Sequence, residues 1–384
     1  MKPINRLWAL CLALCMALPL LAKDHDLKVW MDQKLHFTAD GQTVTYLTVH
    51  QTDPKVNYMA YNMTILLPKG TAIHQVKSGR NYKNDIQMSE RATDTHTIAC
   101  NMPEAGMLKV ICTSSMNQDL YPDDEAGNPC DELFTVGLVA DASTYNGTYR
   151  AEMVGVCFVN SDDKGIPEGA YIDHTEYAEV NVSGGTDFPG VSYTLPRQGV
   201  GTLMLPFDCQ PPSGLEFYSC QGIDHSTLTL AKVDRAEANT PYIVRGTPGT
   251  YQFNGAYCAL LDEYSTDYLT GVYVTTQVPE GAYVMQDQPD NGLGFYRVVS
   301  YDPVTLSPYR CYLNKLAIAP QALSISWGDD ATGMGRVDAS QADERVDVYD
   351  TTGKLLRKQV KRADALKGLT TGVYLINNQK VTVK

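Results

Sequence analysis

From Leu27 onward the chain is a succession of short runs in which apolar and polar residues alternate, each cut off by Gly, Pro, Asn or Asp. The segments Thr43 to Val49, Met59 to Leu67, Leu133 to Ala140 and Gly147 to Val159 are of this kind. Successive side chains of an extended strand point to opposite faces, so a period of two buries one face and wets the other. No long stretch repeats its apolar residues at the helical spacing of three and four. The pattern therefore predicts an all-β protein whose sheets pack face to face as β-sandwiches.

At 384 residues the chain exceeds what one hydrophobic core usually organises, and two or three domains are expected. Its 43% hydrophobic and 20% charged residues suffice to fill those cores. Breaker-rich stretches mark the seams. Asn181 to Gly190 closes the first series of strands, and Gly328 to Gly335 reads as a linker. The expected division is a signal peptide at 1–22, a β-sandwich at 23–185, a second β-sandwich-like domain at 191–328, a linker at 329–342 and a small β module at 343–384. In the second series, strands are read at Gly201 to Phe207, Thr240 to Val244, Gly249 to Phe253 and Gly281 to Met285. In the last module Val346 to Tyr349, Lys354 to Val360, Gly372 to Ile376 and Lys380 to Val383 alternate around turns at Asp350-Thr351-Thr352-Gly353 and Asn377-Asn378-Gln379. Its basic excess fits a solvated outer face of a small sheet.

The first residues have the layout of an export signal. Lys2 and Arg6 precede the apolar run Leu7 to Leu21, and Ala22 precedes Lys23-Asp24-His25-Asp26. The run contains Pro19 and is shorter than the ~20 residues needed to cross a bilayer. Cleavage is expected after Ala22, and the mature chain then has no transmembrane segment. Cys15 follows the bulky Leu14, which disfavours lipid attachment there. Cleavage removes two of the ten cysteines and leaves Cys100, Cys112, Cys130, Cys157, Cys209, Cys220, Cys258 and Cys311. An oxidising compartment permits disulfides. The best-placed pair is Cys100 and Cys112, in strands read at Thr95 to Asn101 and Met107 to Ser114 around Pro103-Glu104-Ala105-Gly106, with buried free thiols as the alternative.

A formal charge of −13 argues against a nucleic-acid partner, which needs clustered Lys and Arg to displace counterions. Nucleophilic hydrolysis through a Gly-x-Ser-x-Gly turn has no counterpart here, and Asp224-His225-Ser226 are immediate neighbours that cannot converge on one reacting atom. The histidines lack ligand spacing. Asp and Glu number 44, so some pair at glycosidase separation is unavoidable and the count selects nothing. The densest acidic stretch, with Asp119, Asp123, Asp124 and Glu125, offers oxygens to Ca²⁺, although it lacks a regular Asp-x-Asp-x-Asp-Gly order; the alternative is a solvated loop. Tyr outnumbers Phe 24 to 8, and Tyr58, Tyr61, Tyr145 and Tyr149 are the candidates for ligand contact; the alternative is that Tyr simply suits half-buried strands.

Two resemblances add to this reading. The segment Val346 to Lys384, with Val-Asp-Val-Tyr-Asp-Thr-Thr-Gly-Lys at its start, Gly372-Val373-Tyr374-Leu375-Ile376 and then Lys380-Val381, resembles the C-terminal sorting domain of type IX secretion. That resemblance implies an address read by the secretion machinery at the outer membrane. Tyr61 to Gly70, Leu133 to Leu138 and Gly147 to Ala151 look like strands of a cohesin-like or carbohydrate-binding-module-like, immunoglobulin-like β-sandwich. This implies recognition rather than catalysis. The resulting expectation is a secreted or cell-surface, non-catalytic protein that binds a glycan or a surface protein through its first sandwich. A secreted hydrolase of polysaccharide or peptide is the rival, and a structural envelope component is a third reading.

Overall fold

The computed structural model describes residues 27–53, 56–123, 127–161, 167–171, 176–224, 226–289, 292–317, 320–327, 345–350, 354–361, 365–367, 369, 372–376 and 379–383. The expected signal peptide and linker, Asp124, Glu125 and His225 lie outside these residues. Among the described residues every regular element is a β-strand.

The first unit is two facing sheets. One orders Lys28–Met31, Thr45–Thr52, Glu132–Ala140 and Thr71–Ile73, with Ile86–Met88 also paired to Glu132–Ala140. The other orders Lys34–Thr38, Glu176–Ser183, Gly147–Ser161, Ala60–Leu66, Met107–Ser114 and His96–Glu104, with Pro167–Tyr171 alongside Gly147–Ser161. Neighbours are antiparallel except Lys34–Thr38 against Glu176–Ser183. The alternation in the sequence appears directly as burial. Leu47 and Val49 face inward from one sheet, Tyr61, Met63 and Ile65 from the other, and the rings of Tyr61 and Phe134 stack between them at 6.0 Å. Each such side chain contributes roughly 1.5–3 kcal/mol by leaving water.

The second unit is one curved sheet running Val200–Leu203, Tyr242–Gly246, Leu215–Asp224, Thr227–Val233, Ala322–Trp327, Gly292–Arg297, Tyr283–Gln288, Arg310–Leu313, Leu269–Val272 and Glu263–Ser265. It curls enough that Thr202, in its first strand, exchanges hydrogen bonds with Cys311 in its eighth: Cys311 N–H donates to Thr202 Oγ1 at 2.9 Å, and Thr202 Oγ1 donates to the Cys311 carbonyl at 3.0 Å. A two-stranded ribbon of Val191–Leu195 and Gly249–Phe253 packs beside it over Phe207, Phe217 and Leu205. The third unit orders Leu355–Lys361, Arg345–Asp350, Gly372–Ile376 and Gln379–Val383 over a small core of Val346, Val348, Ala365, Tyr374 and Ile376.

Two expectations about side chains change. Cys100 and Cys112 are free thiols. The hairpin sets Cys100 opposite Val110 and Cys112 opposite Ile98, so the two sulfurs are on diagonal rather than facing positions, and a bridge requires Cβ atoms about 3.8 Å apart. Burial pushes the Cys112 thiol up to about 11. Cys130, Cys209, Cys220, Cys258 and Cys311 are free thiols as well. Secondly, Tyr58, Tyr61 and Tyr149 are 1%, 2% and 3% exposed, so none presents a ring face to a ligand. Tyr61 packs against Phe158 in the sandwich core because the strand Ala60–Leu66 alternates inward at this position, and Tyr58, just before that strand, meets the same ring while its hydroxyl donates to Asp53 at 2.8 Å.

Candidate functional site

Tyr145 and Tyr149 hold the first unit against the second. Tyr145 lies 4.8 Å from Tyr257 and 5.1 Å from Phe188, and Phe188 lies 5.0 Å from Tyr257. Tyr149 adds a further contact to Tyr257 at 6.4 Å, and its hydroxyl donates to the Tyr145 carbonyl at 2.7 Å. One continuous hydrophobic cluster therefore includes the first sandwich together with Met204, Tyr257, Ala259, Leu260, Tyr273 and Cys311. Gly147 makes the close approach feasible, since a Cβ there would sit 2.7 Å from the Tyr257 carbonyl oxygen. Lys69 pairs with Asp262 across the same junction.

Beside this junction the two units leave a cleft of about 1000 Å³. One wall is the outer face of the strand pair Gly147–Ser161 and Glu176–Ser183. Register places Arg150 opposite Glu179 and Glu152 opposite Tyr177, all on the face away from the core formed by Ala151, Met153, Ala178 and Val180. The Arg150 guanidinium carbon is 3.2 Å from the centre of the Tyr177 ring, so cation and ring brace each other. The other wall carries Asp208, Arg235, Glu237, Asn239, Cys258 and Tyr264. Asp208 is fixed by an Ala238 N–H at 2.7 Å and by Arg235 at 2.6 Å, and these bonds, the backbone one foremost, hold its carboxyl below the usual range. Burial raises the Glu152 carboxyl, against the opposing pull of Arg150. The Tyr264 hydroxyl oxygen receives the N–H groups of Leu260 and Leu261 at 2.7 and 3.1 Å, which fixes it on this wall.

Of the residues expected from the sequence, only Tyr149 lines this cleft, and it is buried there. Arg150, Glu152 and Tyr177 were missed. Their signal is faint but present: Thr148, Arg150 and Glu152 are the polar members of an alternating strand, and they become a site only when Tyr177 and Glu179 are known to be paired beside them. In the acidic stretch, burial raises the Asp119 carboxyl, with the His96 charge opposing, and Asp123 forms a lone bridge with Pro129. Among the described residues no group of three or more His, Cys, Asp or Glu is arranged to hold a metal.

No protein-family model and no curated protein sequence matches the chain. Among solved structures, the chain is similar to a cohesin module from a family 33 glycoside hydrolase of Clostridium perfringens, at 7% identity over 41% of this chain and 98% of that one, with a TM-score of 0.27. It is similar to the third ScaB cohesin of R. flavefaciens, solved in complex with a group 1 dockerin, at 15% identity over 41% and 96% and a TM-score of 0.21. It is also similar to AggA, the major subunit of aggregative adherence fimbriae type I from Escherichia coli, at 9% identity over 42% and 98% and a TM-score of 0.22.

Proposed function

We propose that this chain is an exported, non-catalytic recognition protein that takes a basic segment of a protein partner in the cleft between its first two units. The observation that carries this reading is the cleft's charge. Its walls hold Glu152, Glu179, Asp208 and Glu237 against Arg150 and Arg235, so the acidic groups outnumber the basic ones and the complement is cationic. The Arg150–Tyr177 brace stiffens the floor, which lowers the ordering cost of binding. Purified residues 23–384 should capture a surface protein whose binding weakens with salt and falls about tenfold in Glu179→Gln or Glu152→Gln. Retention of neutral glycans in place of protein, insensitive to both changes, would move the site to the glycan reading.

One observation favours the hydrolase reading. Glu152 is raised and Asp208 lowered within one cleft, and opposite shifts are what an acid and a base require. Asp208, however, is already committed to Ala238 and Arg235. Release of reducing sugar or peptide from a substrate panel, abolished by Glu152→Gln, would establish turnover in place of recognition.

The export route belongs to the same proposal. It rests on the charged and apolar layout of residues 1–22 and on the resemblance of the last module to a sorting domain. Among the described residues no helix is long and apolar enough to cross a membrane. Deleting Val346 to Lys384 should leave the protein in the periplasm, and unchanged surface delivery would remove the sorting role.

A further inference from the structure

Between Thr71–Ile73 and Ile86–Met88 the chain leaves the sandwich as a separate two-stranded ribbon, Gln75–Ser78 and Asn81–Asn84, closed by the two-residue turn Gly79-Arg80. A two-residue turn that opens with glycine matches the twist of the strands it joins. The root of the ribbon is clamped. Asn84 Nδ2 donates to the Cys100 carbonyl at 2.6 Å, the Gln75 side-chain amide donates to Asn84, and the Asp85 N–H donates to the His74 carbonyl at 2.9 Å. Every residue from Lys77 to Lys83 is exposed, so both faces of the tip are wet and the ribbon projects from the first unit.

The tip is basic. It carries Lys77, Arg80 and Lys83, and no Asp or Glu occurs in the sequence between Asp53 and Asp85. Asp85 itself is buried and accepts from His74 Nδ1 at 2.8 Å. Among the described residues no ion pair involves Lys77, Arg80 or Lys83. Register sets Lys77 opposite Tyr82 and Val76 opposite Lys83, and cross-strand partners share a face, so the exposed Tyr82 ring lies beside a cation. Tyr and Arg are the residue types that most often anchor protein interfaces.

The cleft between the first two units offers the opposite sign. Arg235 is held by Asp208 at 2.6 Å and Arg150 lies on the Tyr177 ring, which leaves Glu152, Glu179 and Glu237 on the walls. Glu179 and Glu237 are exposed, and among the described residues neither forms an ion pair. The ribbon does not fill the cleft of its own chain. Its tip is in water, and its root is tied to His96–Glu104, the last strand of its sheet and three strands beyond Gly147–Ser161.

Resting on the cationic preference of the cleft proposed above, we infer that the partner it takes is a second copy of this chain, whose basic ribbon Gln75–Asn84 enters the acidic cleft of its neighbour. Lys77, Arg80 and Lys83 meet Glu152, Glu179 and Glu237, and Tyr82 supplies the apolar contact. Because the ribbon is already clamped at its root, little ordering cost accompanies its entry. Ribbon and cleft are different surfaces, so the contact is heterologous and copies join head to tail. Two chains of formal charge −13 repel at long range, but at about 0.15 M salt the screening length is ~8 Å and the charges in contact decide the outcome.

The test is sedimentation velocity of residues 23–384 at about 0.15 M salt, from about 5 to about 200 µM protein. The average mass should rise with concentration and return to that of the monomer at about 1 M salt. The triple variant Lys77→Gln/Arg80→Gln/Lys83→Gln and the double variant Glu179→Gln/Glu237→Gln should each weaken association about tenfold or more. All five positions are exposed, so the melting temperatures of both variants should stay where they are. A 1:1 mixture of the two variants is the sharpest measurement. One retains the cleft and the other the ribbon, so the mixture should form a heterodimer that cannot grow.

The inference is overturned if the unaltered chain stays monomeric throughout, if either variant associates as the unaltered chain does, or if the mixture stays monomeric. A monomeric chain that binds heparin through Lys77, Arg80 and Lys83 also overturns it, and gives the ribbon an anionic polymer as its partner. A hexalysine probe keeps two failures apart. Hexalysine binding that falls about tenfold in Glu179→Gln/Glu237→Gln, with copies monomeric, removes the second copy and leaves the cleft its basic segment. No hexalysine binding, with copies monomeric, removes both.

Discussion

Arg91 is 5% exposed inside the first unit and keeps its charge there by hydrogen bonding: Nε donates to the Tyr121 carbonyl at 2.7 Å, and the two terminal nitrogens donate to the Gln51 carbonyl and side-chain oxygen at 3.1 and 3.0 Å. Arg91→Ala strands all three acceptors, and urea unfolding should show a loss of about 2–4 kcal/mol. Glu216 gives the pH counterpart. Hydrogen bonds from Lys232, foremost, and from Tyr218 and Arg245 hold its carboxyl at about 2. Because this value lies below the usual one near 4.5, the contribution to stability is complete above pH 4.5 and drains away as the pH falls toward 2. The group is 37% exposed and screened by solvent, so Glu216→Gln should cost only about 0.5 kcal/mol at pH 7. That difference, followed by thermal melts at successive pH values, should shrink below pH 4.5; a constant difference would mean the carboxylate charge is not what matters. Neither residue stood out in the sequence, because a lone Arg or Glu in an alternating run reads as a solvated position until its partners from distant strands are known.

At the scale of single elements, the sequence placed most strands within a few residues, since alternation and turn residues are local properties. The hairpin of His96–Glu104 and Met107–Ser114 was legible, but its turn is Ala105-Gly106 alone, with Glu104 and Met107 already paired. Gly106 has φ +76°, and a Cβ there would meet the Leu67 carbonyl oxygen at 2.3 Å. Gly155 also has a positive φ, +60°, where the long strand Gly147–Ser161 shifts register between Val154 and Cys157, but a Cβ there meets nothing within 4 Å. Gly155→Ala should therefore cost about 1 kcal/mol for conformation alone, and Gly106→Ala about 3 kcal/mol because backbone cannot yield to the clash. Urea midpoints at constant slope would separate the two. The shift at Gly155 was not legible, because a bulge leaves the alternation intact on either side of it.

For the whole molecule, the decisive contact is aromatic. Tyr257 touches Tyr145, Tyr149, Phe188 and Tyr273, and so joins rings from both sides of the expected boundary near residue 185. Tyr257→Ala should cost about 3–5 kcal/mol and separate one calorimetric transition into two as the first and second units melt independently. A single transition at an unchanged temperature would show that the interface does not couple them. The same contact sets the width of the neighbouring cleft, so this substitution should also weaken capture of a partner there.

The sequence by itself determined that the chain is built from strands, because the period of two and the breakers between runs act over a few neighbouring residues and need no tertiary context. It could not determine which tyrosines meet solvent. Tyr149, two residues past Gly147, and Tyr301, beside Asp302-Pro303, both lie next to turn residues in the sequence, yet one is 3% exposed and the other 88%. The difference arises because a second unit covers the first ring and nothing described covers the second. Burial of a strand's outer face depends on which distant segments fold back over it, and only the tertiary structure supplies that information.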